Sequence, residues 1–211
     1  MSWSAVILAG GRARRLGGRD KRALDVGGLR LIDRQLAVLT ALTTRIACVG
    51  GPPGPASAGL TCVPDLMPGL GALGGLYTAL ATATTDRVLV LACDLPFVTA
   101  PFLAFLLDVA PQADAVVPVP ASGPQPLCAV YRTRAASVLE TAIAGGERRV
   151  REAVARLAPR WIDADALRRF DPDGRLLLNV NTPDDLADAN RLESNGPHRT
   201  AGSGASQTTN R

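Results

Sequence analysis

Histidine and lysine are almost missing from this 211-residue chain, which carries one of each, His198 and Lys21, and takes the rest of its positive charge from arginine. His198 lies in a polar tail, so the folded part has no histidine for a Ser-His-Asp triad or a histidine-rich metal site, and any metal must be bound by oxygen. Aromatic residues make up 4% of the chain, and no Lys/Arg tract or aromatic-interleaved strip is present. The net charge of +4 and pI of ≈ 9.2 therefore do not describe a nucleic-acid surface. The four cysteines, Cys48, Cys62, Cys93 and Cys128, form no C-x-x-C pair, which excludes a thiolate zinc site and dithiol chemistry. They read as buried thiols of a reduced, cytoplasmic protein. No apolar run approaches the ~20 residues of a membrane span. The opening MSWSAVILAGG lacks the basic region and the apolar length of a signal peptide.

With 47% hydrophobic residues, the chain is long enough for one sizeable domain and short for two. Short apolar runs alternate with amphipathic stretches: SAVILAG, LRLIDRQLAVLTAL, RIACVG, LTCVPD, GLYTALATA, RVLVLACD, PFLAFLLDVA and ADAVVPV. Strands that are apolar throughout are buried on both faces, and the helical stretches supply crossovers. The expected fold is α/β, three-layer α/β/α and mostly parallel. After Val119 come a strand in PQPLCAVY, a helical region broken at Gly145-Gly146, then RWIDA, RLLLNVN and a final helix N-capped by Thr182, with Pro183 at its first position. One domain over 1–193 is expected. Residues 194–211, rich in Ser, Gly and Thr, read as a disordered tail.

In an open α/β sheet, ligands sit outside the carboxyl ends of the strands, so the loop after the first strand, LAGGRARRLGGRDK, is the first place to look. Gly10 and Gly11 allow close backbone approach and an anion-binding nest, and Arg15 and Lys21 add full charges. The spacing is neither G-x-G-x-x-G nor G-x-x-x-x-G-K-[ST]. The competing reading is a flexible connection. In an arginine-rich chain, the single lysine marks a place for a compact ammonium.

VLVLACDLPFV delivers Asp94 to the end of a buried strand, where one carboxylate with phosphate oxygens and water suits Mg²⁺. A turn or N-cap aspartate is the alternative. In PDLMPGLGALGG, Asp65 follows a short strand, and Gly69, Gly71, Gly74 and Gly75 lead into a helix. Asp65 has the chemistry to accept hydrogen bonds from a purine, whereas Gly74 and Gly75 equally suit close helix–strand packing.

These segments, together with QPLCAVY, GERRV and NVNTPDDL, resemble the molybdenum cofactor guanylyltransferases over about residues 4 to 190. That family lies within the nucleotidyltransferases of the Rossmann-like nucleotide-diphospho-sugar transferase fold. The resemblance implies transfer of GMP from GTP to molybdopterin, with Mg²⁺ and release of pyrophosphate, and transient docking to other cofactor-biosynthesis proteins or acceptor enzymes. It implies that Leu8, Ala9, Gly10 and Gly11 contact the nucleotide, Lys21 the phosphates, Asp65 the guanine side, Asp94 the metal and Arg15 the leaving pyrophosphate. Asn179 and Asn181 would lie near the pterin or the metal. Two departures bear on the base. Gly50 and Gly51 stand where some members carry asparagine, and Gly71-Ala72-Leu73-Gly74-Gly75 replaces G-P-L-[AG]-G, so backbone takes over a side-chain contact. The alternatives are a sister enzyme using CTP or another phosphate acceptor, and a noncatalytic nucleotide-binding protein of the same fold.

Overall fold

Apolar runs and helical stretches sort into strands and helices in the expected order, with two small ribbons added. The computed structural model describes residues 1–10, 12–13, 19–51, 60 and 62–195, with backbone alone at 12, 13 and 19. The chain runs β1 (Trp3–Leu8), a ribbon of β2 (Arg12–Ala13) and β3 (Arg19–Asp20), a 3-10 turn over Lys21–Ala23, and a second ribbon of β4 (Asp25–Val26) and β5 (Leu29–Arg30). Then follow α1 (Leu31–Thr40), β6 (Ile46–Val49), β7 (Cys62–Val63), α2 (Gly71–Ala81), β8 (Arg87–Ala92), α3 (Ala100–Asp108) and β9 (Ala115–Pro118). The order closes with β10 (Cys128–Arg132), α4 (Ala136–Ala144), α5 (Val150–Ala155), β11 (Arg160–Ile162), α6 (Ala164–Leu167) and α7 (Pro183–Ser194).

Seven strands form one sheet in the order β11-β9-β10-β8-β1-β6-β7. β10 is antiparallel to both neighbours and every other pairing is parallel. The strands of both halves of the chain thus share one sheet. Successive residues of β1 point to opposite faces: Ala5 and Ile7 pack with α1 and α3, whereas Val6 and Leu8 pack with α2, α4 and α5. Both faces are covered, which explains why β1 and β8 carry no polar alternation. The mostly parallel three-layer α/β/α expectation holds.

α7 does not join either large cluster. Ala189 packs with Leu24, Val26, Leu31 and Val180, so the final helix lies on the ribbon that follows Lys21. Asn190 Oδ1 accepts from Gly27 N at 2.9 Å, and Arg34 pairs with Glu193 at 2.8 Å, fixing the same contact. Thr182 caps α7 as expected, with Pro183 in the first turn and a reciprocal capping box to Asp185.

Some expectations shift. The helix expected from Leu29 starts at Leu31, because Leu29 and Arg30 pair with β4. RLLLNVN, for which no element type is expected, is irregular: Leu176, Leu177 and Val180 are buried by their side chains, and Val180 N donates to Asp94 O at 2.9 Å. Cys62 is half-buried at the sheet edge rather than buried, while Cys48, Cys93 and Cys128 are buried, and all four thiols are free. α7 includes Ser194, which composition places in the tail; residues 196–211, with His198, lie outside the described residues, as do Gly11 and Arg15. Among the described residues no helix is long and apolar enough to cross a membrane.

Candidate active site

The chain leaves β1 for β6 and β7 on one side, then returns to β8 on the other side of β1. Loops diverge where that direction reverses, and a cleft opens over the carboxyl ends of the strands. Its volume is ≈ 520 Å³, within the range of small-molecule sites. Leu8 and Gly10 come from the end of β1, Val49 and Gly50 from β6, and Ala92, Cys93 and Asp94 from β8. Asp65, Gly69, Gly71, Ala72 and Gly75 form the wall at the start of α2, and Lys21 reaches in from its turn. Leu8, Gly10, Lys21, Asp65 and Asp94, all singled out in the sequence, are thereby brought together.

Ala9 is not among the lining residues. Its side chain is buried and its N–H donates to Val49 O at 2.9 Å, so it anchors the strand exit behind the wall. Asn179 is half-buried, with its Nδ2 3.4 Å from Leu177 O, and also stands outside the lining.

Lys21 and Asp94 form the charged centre. Lys21 Nζ donates to Asp94 Oδ2 at 2.9 Å and to Asn181 Oδ1 at 2.7 Å. The two charged side chains are 14% and 15% exposed, so the pair is sheltered yet open on one side. A compact ammonium with three rotatable donors suits this crowded corner, where a planar guanidinium fork would need more room.

Two residues that hold this corner carry no role in the sequence reading. Asp20 Oδ1 accepts from Arg22 N at 3.0 Å and caps the turn that carries Lys21. Its carboxylate also takes Arg22 Nε at 3.0 Å and Nη2 at 2.6 Å. Arg22 is 1% exposed, and its guanidinium lies against Gly51, where an added Cβ would stand 3.0 Å from Cζ. The hydrogen bonds from Arg22 hold the Asp20 carboxyl below its ordinary value, against the opposing effect of burial. The aspartate directly before the only lysine, in GGRDK, was the available signal.

The glycines divide by role. Gly50 has φ +75°, and a Cβ there would sit 2.9 Å from Gly10 Cα and 3.0 Å from Gly10 N, both backbone. Gly51 has φ +77°. At Gly50 the approach to the Gly10 backbone leaves no room for a Cβ, so asparagine, which tolerates a positive φ, is excluded there by contact rather than by conformation. Gly50→Ala is expected to lower stability by about 1–3 kcal/mol and to weaken nucleotide binding with it. Urea unfolding and a nucleotide titration check this, and unchanged values in both would refute the close approach. Gly74 serves packing, since a Cβ would meet Met67 O at 2.6 Å, whereas Gly75 faces the cleft with Leu8 Cδ2 3.8 Å away as its nearest neighbour.

Asp65 is fixed by the fold. Its Oδ1 accepts from Met67 N at 2.9 Å and from the buried Thr78 hydroxyl at 3.0 Å. Both of these bonds fall on Oδ1, while the residue itself lines the cleft.

Burial pushes the Cys93 thiol up to about 12, so this cleft residue is not a thiolate nucleophile. No group of three or more His, Cys, Asp or Glu converges among the described residues, which removes a caged metal centre there. The carboxylate of Asp94 at the end of β8 fits Mg²⁺, which takes one or two carboxylates and completes its shell with phosphate oxygens and water. The site can therefore bind a polyphosphate and stabilise charge on it, with no side chain placed for covalent catalysis among the described residues.

Comparison with known proteins agrees with this geometry. Residues 5–160 match the family model described as MobA-like NTP transferase domain. A protein of Chloroflexus aggregans named "Probable molybdenum cofactor guanylyltransferase" is 39% identical over 199 residues, 88% of this chain and 92% of its own length. A molybdenum cofactor guanylyltransferase of Desulfosudis oleivorans is 30% identical over 188 residues, 88% of this chain and 93% of its own. Among solved structures, molybdopterin-guanine dinucleotide biosynthesis protein A of Archaeoglobus fulgidus superposes with TM-score 0.77 at 30% identity, covering 90% of this chain and 98% of that one.

Proposed function

We propose that this chain, which belongs to the MobA-like NTP transferase family, is a nucleotidyltransferase that moves GMP from GTP to molybdopterin, giving molybdopterin guanine dinucleotide and pyrophosphate. The observation that carries this reading is the convergence of Lys21, Asp94 and Asp65 on one glycine-lined cleft at the reversal point of the sheet. The four free thiols are consistent with work in a reducing cytoplasm.

The reaction needs no covalent enzyme intermediate. A terminal phosphate oxygen of molybdopterin attacks the α-phosphorus of GTP in line, a new P–O bond forms, and the bond to the β-phosphate breaks with its electron pair leaving on pyrophosphate. The nucleophile is already anionic, so no base must take a proton, in keeping with a cleft whose described lining has no histidine. The contribution of the chain is positioning and charge. Lys21 meets phosphate oxygens that gain charge as pyrophosphate departs. Gly10 and Gly50 keep the floor flat, so the triphosphate approaches backbone. Asp94 would hold Mg²⁺, which supplies Lewis-acid stabilisation of the phosphoryl oxygens. Arg15, outside the described residues, is proposed to meet the leaving pyrophosphate, and Asp65 the guanine side.

A nucleotide panel in the melting assay tests the base. With Mg²⁺ present, GTP at about 100 times its Kd should stabilise by about 2.7 kcal/mol, with CTP clearly weaker at the same concentration. Stabilisation by CTP above that by GTP would overturn the guanine assignment and leave the fold and the cleft unchanged.

A further inference from the structure

We infer that Asn181 is a positioning residue for Lys21, and that α7 is thereby part of the catalytic machinery; this rests on the nucleotidyl-transfer reading above. The Asn181 side-chain oxygen accepts from Lys21 Nζ at 2.7 Å, across 160 residues of chain. It points at the ammonium because its own backbone is fixed. Asp185 Oδ2 accepts from Asn181 N and from Thr182 N, each at 2.8 Å, while Thr182 Oγ1 accepts from Asp185 N at 3.1 Å. One residue earlier, Val180 N donates to Asp94 O at 2.9 Å. The segment that carries Asn181 is therefore tied to the Asp94 loop on one side and to the capping box of α7 on the other. α7 in turn rests on the ribbon after Lys21 through Ala189, Val26 and Leu24.

The chemistry of an amide here differs from that of a carboxylate. An ammonium has three donors. Asp94 and Asn181 take two, leaving the third for a phosphate oxygen. Asp94 already offsets the charge of Lys21 in the free protein, and a second carboxylate would make the corner net negative and repel a triphosphate. A neutral oxygen orients the ammonium without cancelling it. It also gives Lys21 a partner that stays in place when the Asp94 carboxylate turns to other ligands. Asn181 so acts through Lys21, a role that stands beside the place near the pterin or the metal that the resemblance implies.

The solitary lysine makes this testable without any substrate. Protein labelled with ¹³C-lysine gives one Cε resonance, and Asn181 is exposed, so its substitution leaves the core intact. In Asn181→Ala, the Lys21 signal of the free protein should move and narrow towards that of a freely rotating side chain. kcat should fall about tenfold, with the KM for molybdopterin within about twofold of wild type. Asn181→Asp should keep the Lys21 signal ordered and raise the KM for the nucleotide about tenfold, the opposite split. An unmoved Lys21 resonance in Asn181→Ala overturns the inference, as does a rise confined to the molybdopterin KM. If the nucleotide or acceptor proves to be another, the resonance of the free protein still decides the role of Asn181, so the two readings fail separately.

Discussion

Lys21→Ala is expected to lower turnover by on the order of a hundredfold, the scale seen when one preorganised donor to a developing negative charge is removed. Asp94→Ala should lower it by at least about tenfold, some 1.4 kcal/mol of transition-state stabilisation. The pair is held at 2.9 Å with its side chains 14% and 15% exposed, so removing one partner also costs folding stability, about 1–3 kcal/mol. Lys21→Arg should not restore the rate, because the guanidinium is larger and cannot place three donors on Asp94, Asn181 and a phosphate at once. Steady-state pyrophosphate release with saturating substrates, beside a melting curve for each variant, separates chemistry from folding. Wild-type turnover in either alanine variant would remove the charged centre from the mechanism.

Asp20→Ala is the substitution with the largest expected effect on folding. It removes the carboxylate against which the Arg22 guanidinium is buried and the cap of the turn that carries Lys21. Breaking a buried charged pair from one side costs about 3–5 kcal/mol, and because Asp20 is itself 29% exposed the expected loss is about 2–4 kcal/mol. Urea unfolding measures it, and a loss below about 0.5 kcal/mol would show that the pair does not hold the turn. The sign of the pH dependence follows from the direction of the shift. The Asp20 carboxyl is lowered in the folded protein, so its stabilisation is complete above the ordinary carboxylate range and is lost as pH falls through the lowered value. Acid sensitivity of the wild type should therefore exceed that of Asp20→Ala over that window.

What could be read from the sequence was what local pattern controls. β1 and β8 were legible because strands buried on both faces are apolar at every position, as Ala5, Val6 and Ile7 are. Strand direction was not legible: β10 is as apolar as β9, and nothing in CAVY distinguishes antiparallel from parallel pairing. The two ribbons before α1 are two residues per strand, too short for any period to register. Within the site, Gly10, Asp65, Lys21 and Asp94 were found because each follows a strand end where ligands collect, or stands out chemically. Asp20 and Arg22 were missed because their pairing depends on a tight turn that brings residues two apart face to face. Asn181 was noticed only through resemblance. Its contact with Lys21 is set by the burial of Ala189 against Val26 and Leu24, a long-range packing event with no local signature.

The identity of the product tests the central claim most directly. The wild-type protein, incubated with GTP, Mg²⁺ and molybdopterin, should release one pyrophosphate for each molybdopterin guanine dinucleotide formed, as followed by mass spectrometry, and release should stop when molybdopterin is left out. Binding of GTP with no pyrophosphate released in the presence of molybdopterin would contradict the account.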